Sequence, residues 1–556
     1  MIFLAKLVIY FCFNALLATP LIYFISQPCK LRSALRRTHT NIHTPHALTS
    51  IPSPRPHHNN THTLSALTTH TITHTPHTPT PMSQLPTNEK RYGIIISWFE
   101  TRPYTKAIVC GRFIFIEGVF MKKYKTLREF GKYVFLNIFA QIAFSCYTLM
   151  DTYFVSWKLK ADGLSALNIA FPMFCIINGM GLMIGIGGGI KYSIFKSKDR
   201  DDDANTIFTN AVVLGVSIAC LFVISGMFFS DKLVRFLGAD DSIFEMTNTY
   251  LRVMMLFAPA FFMNNILQCF VRNDRNPRLS MAAMVVGSIS NVILDYVFIF
   301  PMNMGIFGAI FATGLAPIIS MMVTFPYIIS RNNGFHLNKN IFDFHSISEI
   351  VSKGMFALLT EATSASVMFT FNMIILGISG NVGVAAFSII TVISLVVTAI
   401  YTGLSQGIQP LISHYYGKND AENVGKILKY AIVTQIMLSI LIYGAIYFNA
   451  DILAAFYNKA HDVLLQDYAV SGMKIYFVAC FFIGFNIVVS TYFTSTERSI
   501  KSQVISFARG FVIIIPTALI LSRIFAMTGV WAAYPVSECI VCMIAMVLFF
   551  REKRMI

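Results

Sequence analysis

A chain of 556 residues that is 55% hydrophobic and only 13% charged, with 50 phenylalanines, has too little polar surface to cover a soluble core of its size. Composition excludes an ordinary soluble domain, and the formal net charge of +16 is distributed as a membrane topology signal rather than a nucleic-acid footprint. Ten cysteines are scattered singly along apolar stretches and form no disulfide framework. The closest pair, Cys539 and Cys542, lies inside an apolar run and reads as packed helix, not metal or redox chemistry.

The first 120 residues differ from the rest. Met1 to Ser26 is apolar except for Lys6 and reads as a signal peptide or signal anchor. A His/Thr/Pro tract follows, with nine of the 13 histidines between His39 and His77. Such a tract has too little apolar surface to offset the entropy of ordering, so disorder is expected. Its irregular histidine spacing argues against a metal site. The alternating Thr-His pattern is also what a dinucleotide repeat in DNA encodes, and the functional chain is expected to begin at Met121, with 1–120 as an atypical extension.

A membrane-spanning helix needs about 20 mostly apolar residues. From Met121 the sequence offers twelve: 131–157, 165–191, 205–230, 246–270, 279–300, 304–330, then 352–378, 384–412, 424–449, 467–494, 500–522 and 527–550. The fold class expected is an all-α polytopic membrane protein, with one six-helix half over 121–331, a linker at 332–351 and a second half over 352–556. Lysine and arginine gather on one side of this layout: Lys122, Lys123, Lys125 and Arg128 before the first span, then Lys196, Lys198 and Arg200, Arg272, Arg275 and Arg278, Arg331 and Lys339, Arg498 and Lys501, and Arg551, Lys553 and Arg554. Positive residues mark the cytoplasmic side, so both ends of the core are expected there, in a plasma membrane.

The stretch GIGGGIKYS beginning at Gly185 looks like a phosphate-binding loop but is not one. That loop requires glycine directly before the lysine and Ser or Thr directly after it, between a strand and a helix; here Ile190 precedes Lys191 and Tyr192 follows. Gly181, Gly185 and Gly189 instead recur every fourth residue in an apolar span, a face that lets helix backbones approach in lipid. The stretch has an echo: a shift of about 220 residues pairs Gly163 with Gly383, Ser193 with Ser413 and Lys198 with Lys418. A chain duplicated in this way, six spans per half, has both halves in the same orientation and a pathway between them, as many secondary transporters do.

Charged groups at bilayer depth cost at least about 2.5–3.5 kcal/mol each, so isolated ones need a reason. Asp151 lies late in the first span, Asp295 late in the fifth, and Glu361 in the first half of the seventh, about 15 Å beyond Lys353 at 1.5 Å per residue. Removing a carboxylate from water disfavours its charged form, which makes such a group a candidate relay for a proton or cation. Asn291, Asn372, Gln406 and Gln409 accompany these acids and are candidate partners or cation ligands. Arg509 and Glu538, in the eleventh and twelfth spans, read equally well as a structural pair.

Taken together, MDTYFVS in the first span, GMGLMIGIGGGIKYSIFKSKDRDDDAN at the second, FVRNDRNPRLSMAAMVVGSISNVILDYVFIFPMNMGIFGAIFAT from the fourth join to the sixth, and TGLSQGIQPLISHYYGKND after the eighth resemble the multidrug and toxic compound extrusion (MATE) family, in its prokaryotic-type branch with the DinF-like and MepA-like exporters. The resemblance implies two six-helix bundles around a central cavity. It further implies export of organic cations and amphipathic compounds driven by inward H⁺ or Na⁺, with Asp151, Asp295 and Glu361 matching the family's acids. The chain departs from the family in three places. YVFLNIF in the first span has no proline, GMF stands where Gly-Pro is frequent, and Tyr296 follows Asp295 where proline is frequent.

The expectation is therefore an ion-coupled antiporter, monomeric, not an enzyme, with no cofactor beyond the coupling ion and no nucleic-acid partner. Its rivals are a flippase for lipid-linked saccharide, which would favour a basic cavity, and a membrane-embedded transferase, whose only candidate acidic motif, Asp199 to Asp203, is interleaved and flanked by basic residues. No ATPase motif is present.

Overall fold

The computed structural model describes residues 103–339, 342–458 and 462–553, with side chains from Lys125 to Arg551 apart from Ala161 and Asn381. The signal-like segment and the His/Thr/Pro tract expected at the N-terminus lie outside the described residues. Everything below concerns the compact unit that runs from Lys125.

The first three long apolar helices are α1 (Lys125–Lys160), α2 (Asp162–Ser197) and α3 (Asp201–Phe228). The fourth, α4, is a bent pair, Phe244–Leu256 and Ala258–Asn273, that turns 47° where Pro259 opens its second part. It is followed by α5 (Pro277–Ile299), α6 (Gly305–Ile329), α7 (Phe344–Gly380), α8 (Val382–Gly417), α9 (Ala421–Tyr457) and α10 (Val463–Ser495). The last apolar element, Ser499–Arg551, has 53 residues. At 1.5 Å per residue that is far longer than a hydrocarbon core of about 30 Å. It breaks at Ala526, whose φ of 47° is not helical, into α11 (499–525) and α12 (527–551). The described residues thus hold twelve spans, and they coincide with the twelve apolar runs of the sequence.

Backbone geometry repeats between the halves more clearly than sequence does. Lys160 (φ 55°, ψ −139°) joins α1 to α2, and Gly380 (φ 58°, ψ −151°) joins α7 to α8, about 220 residues later. Asp199 and Asn419 hold the same left-handed conformation after α2 and α8, as do Arg275 and Glu497 after α4 and α10. Each half has its own core. Phe262, Phe270, Tyr192 and Phe335 centre the first, and Trp531, Phe371, Tyr401 and Phe477 the second. Large apolar side chains such as Phe228, Phe448 and Ile524 stay exposed on the outer surface, where the bilayer is their solvent.

The polar side chains at helix ends explain where the helices start. Asp343 accepts the amides of His345 and Ser346 to open α7, Asp420 that of Asn423 to open α9, and Asp462 those of Leu464 and Leu465 to open α10. The linker between the halves is strapped along α3: the amides of His336, Asn338 and Asp343 donate to the side chains of Asn205, Thr209 and Asn210. Asp274 ties the same region together, accepting from Tyr192 Oη (2.5 Å), Tyr327 Oη (2.8 Å) and the Gly334 amide (2.7 Å). Bonds to a charged acceptor are the stronger kind, about 1.5–3 kcal/mol each before non-additivity. Asp274→Ala is therefore expected to destabilise the first half by about 2–4 kcal/mol, read as an earlier thermal unfolding transition in detergent.

Candidate functional site

Three polar sites sit inside this apolar frame. The first is within the N-terminal half. Asp295 on α5 is fully buried, and neither of its carboxylate oxygens has a protein partner among the described residues. Asp151 on α1 is 7% exposed, with Oδ1 unpartnered. The two acids lie within Coulombic range of each other, and the hydroxyls of Tyr147 and Tyr250 lie within range of both. One turn before Asp295, Asn291 donates to Thr313 Oγ1 (3.4 Å) and leaves its own Oδ1 unpartnered. Four buried oxygens of three side chains are thus left without donors among the described residues, and no described lysine or arginine compensates the acids. Two like charges taken out of water side by side are costly unless a proton or a cation joins them. The donors are all oxygen, which suits H⁺ or a hard cation such as Na⁺. No cluster of three or more His, Cys, Asp or Glu that would suit a transition metal exists among the described residues.

The second site is a cavity of about 70 Å³ between α2 on one side and α7, α8, α10 and α11 on the other. Glu361 lines it, partly exposed, and is hydrogen-bonded by Asn178 of α2, whose Oδ1 in turn accepts from Asn265 of α4 (3.0 Å). Thr360, Gln406, Asn486 and Arg509 share the wall with Leu182, Ile186 and Phe356. Arg509 and Glu538 do pair: Nε donates to Oε1 at 2.5 Å, with the side chains 10% and 1% exposed.

The third site is the seam between the halves on the basic side of the cavity. Two glycine crossings related by the internal repeat build it. A Cβ at Gly187 of α2 would strike the Ile350 carbonyl of α7, and a Cβ at Gly407 of α8 would meet Val134 Cα of α1 at 2.7 Å. Polar bonds then close the seam. Asn273 and Gln409 exchange amide bonds (3.1 and 3.2 Å), and Arg272 donates to Gln406 (2.8 Å) and Asn137 (3.4 Å). Lys191 reaches both Glu349 and Glu497 at 2.8 Å. Glu497 lies in the turn after α10. Burial opposes its charge, yet Lys191 and then Lys353 and Lys198 hold its carboxyl below the usual range.

The structure therefore divides the sequence-derived candidates. Asp151, Asp295 and Asn291 come together, Glu361 and Gln406 share the cavity, and Gln409 belongs to the seam. Asn372, about three turns beyond Glu361 on α7, is half-buried and lines neither site. Gly181, Gly185 and Gly189 face α4, where added Cβ atoms would meet Asn265 and Asn273 side chains and the Asn265 backbone. Sequence reasoning missed Asn178, an isolated amide in an apolar run, and the ion pairs of Lys191.

These features define a class: a polytopic membrane protein of two repeated six-helix halves, with buried acids inside one half and a cavity sealed on one side by a seam. The MatE family model matches residues 137–297 and 357–520, more than half of the chain, and the protein belongs to that family. Among curated relatives it is 22% identical over 408 residues to the multidrug export protein MepA of Staphylococcus saprophyticus, covering 73% of this chain and 89% of the relative. MepA of Staphylococcus aureus is also 22% identical, over 406 residues, with the same coverage. Among solved structures, an outward-facing multidrug resistance MATE transporter superposes with a TM-score of 0.72 at 20% identity, covering 76% of this chain and 95% of that one. A MOP superfamily transporter from Pyrococcus furiosus, described as having a binding pocket of reverse polarity, gives 0.71 at 22% identity, covering 76% and 96%.

Proposed function

We propose that this protein is a secondary active exporter of amphipathic organic cations, a multidrug efflux transporter, which exchanges them for H⁺ or Na⁺ by alternating access, as a monomer in the plasma membrane with both core termini cytoplasmic. The observation that carries this reading is the pair Asp151 and Asp295, buried without a counter-charge. A protein that needed those acids only for stability would have paired them. The relatives' names, multidrug export protein and MATE transporter, support the substrate class.

In this mechanism the seam closes the basic, cytoplasmic side while the N-terminal acids take up an ion from the other side. Ion entry into one half and cation release from the cavity are two uses of one rocking motion of the halves. One proton exchanged for one monovalent cation moves no net charge, so only the pH term of about 1.4 kcal/mol per unit drives it. A saccharide flippase would need a cavity that holds phosphate. Here the guanidinium on the cavity wall is neutralised by Glu538, and Arg272 is engaged by Gln406 and Asn137.

The test uses the full chain in proteoliposomes with a fluorescent cation. Imposed pH or Na⁺ gradients are expected to drive accumulation against the cation's own gradient, reversing when the gradient is reversed. Accumulation indifferent to both gradients would overturn the exchange reading.

A further inference from the structure

The two glycine crossings that build the seam differ in charge. At the α2–α7 crossing cations and acids alternate: Lys191 lies between Glu349 and Glu497, and Lys353 Nζ donates to the Glu497 carbonyl (3.2 Å). At the α1–α8 crossing three other bonds join the halves. Thr126 Oγ1 donates to Asn423 Oδ1 (2.8 Å), Tyr415 Oη to Glu129 Oε2 (2.9 Å) and Arg275 Nη2 to His414 Nε2 (2.9 Å). A guanidinium can only donate, so His414 accepts, and its Nε2 carries no proton.

The internal repeat shows what this second crossing lacks. Glu129 and Glu349 are equivalent, 220 residues apart. Arg275 and Glu497 are equivalent too, in the same left-handed conformation in the turns after α4 and α10. Where one crossing places a carboxylate, the other therefore places a guanidinium. The charged groups that act on the His414 ring are Arg275, Lys418 and Lys125, all cations. All three are exposed, and none is paired with a carboxylate among the described residues. The acids at the edge of the cluster are taken up elsewhere. Glu129 accepts from Tyr415, Asp420 from the Asn423 amide and Nδ2, and Asp274 from two tyrosines and the Gly334 amide. The three segments that meet here, 125–133, 274–278 and 414–420, hold six lysines and arginines against three acids.

Positive charge is general on this side of the chain, but this excess is local and is drawn from both halves. Lys125 and Arg275 come from α1 and the α4–α5 turn, and Lys418 from the α8–α9 turn. An anion among them would do for this crossing what Glu497 does for the other. A phosphodiester suits the place: its oxygens only accept, its charge does not titrate away, and guanidinium pairs with it strongly. The crossing lies at the basic-side ends of membrane-spanning helices, the level at which basic pockets meet lipid headgroups. We propose that Arg275, Lys125 and Lys418 form a binding site for the phosphate of an acidic phospholipid headgroup, which bridges the two halves at the α1–α8 crossing. The site depends on the chain's placement in a membrane and not on what it exports.

The test uses the full chain in detergent, with phosphatidylglycerol or phosphatidylcholine of the same acyl chains added, and mass spectrometry of the intact complex to resolve each bound lipid. The wild type is expected to retain its first phosphatidylglycerol at roughly tenfold lower concentration than its first phosphatidylcholine, and only phosphatidylglycerol should raise its unfolding temperature. Arg275→Gln and Lys418→Gln, one from each half, should each weaken the preference, and the two combined with Lys125→Gln should abolish it. Arg331→Gln with Lys339→Gln and Arg551→Gln removes the same charge from exposed residues elsewhere on the basic side and should leave the preference intact. Equal retention of the two lipids by the wild type, which needs no variant to fold, would overturn the inference. So would equal loss in the two triple variants, which would make the attraction diffuse, or a preference untouched by Lys418→Gln, which would remove the bridge. Millimolar inorganic phosphate should leave the lipid in place; its displacement would give the cations to a soluble phosphate and overturn the lipid site.

Discussion

Asp295→Asn is expected to abolish gradient-driven transport, by at least a hundredfold, while making the folded protein more stable. The substitution keeps the shape of a fully buried side chain and removes only the ability to carry charge and to bind a proton or cation. Asp151→Asn should behave alike, because the two buried acids lie within Coulombic range of each other. The stability gain separates this account from a structural one. Removing one partner of a satisfied buried ion pair costs about 3–5 kcal/mol, but neither oxygen of Asp295 has a partner to lose. Relief of repulsion should raise the unfolding temperature in detergent instead. Transport retained at a tenth or more of wild type, or a clear fall in unfolding temperature with transport lost, would show that the acids serve the fold.

How much of this was legible beforehand depended on range along the chain. The spans were, because each is a local run of about 20 apolar residues, and so were Asp151, Asp295 and Glu361, since a lone acid in such a run is conspicuous. The repeat showed as thin identity, then plainly as paired left-handed residues at Lys160 and Gly380. What escaped was long-range or backbone-specific. Lys191 reads in sequence only as a lysine that fails to complete a phosphate loop, because its partners Glu349 and Glu497 lie 158 and 306 residues away. No composition rule marks the π-helical turn Ala508–Val512 that carries Arg509, where Gly510 looks like any small residue in an apolar helix. Asn372 has ligand chemistry in the span of Glu361, but nothing in sequence fixes its height or azimuth relative to Glu361, and the structure leaves it off the cavity wall.

Lys191→Met is expected to loosen the seam between the halves. The ammonium is 7% exposed and its two partners 23% and 28%. The loss therefore falls between that of a buried pair and the near-zero worth of a surface one, about 1–2 kcal/mol, or roughly tenfold in the closed-to-open ratio. Spin labels at Asp202→Cys and Glu422→Cys, exposed at the basic-side starts of α3 and α9, would read it as a new long-distance population between the halves. Gly187→Val should produce a larger shift, since its side chain enters the space of the Ile350 carbonyl and the backbones cannot meet at all. Glu497 adds a pH signature. Its carboxyl is held below the ordinary range when paired with Lys191. Its contribution is thus fully present above about pH 4.3, the usual glutamate value, and is lost as pH falls through the lower value of the closed state. Distances should therefore be unchanged between pH 7 and 5 and lengthen only under stronger acid, a change that Lys191→Met should already show at pH 7. If the distances in Lys191→Met match the wild type at every pH, the ion pairs do not hold the seam, and the glycine crossings with the Asn273–Gln409 exchange carry it alone.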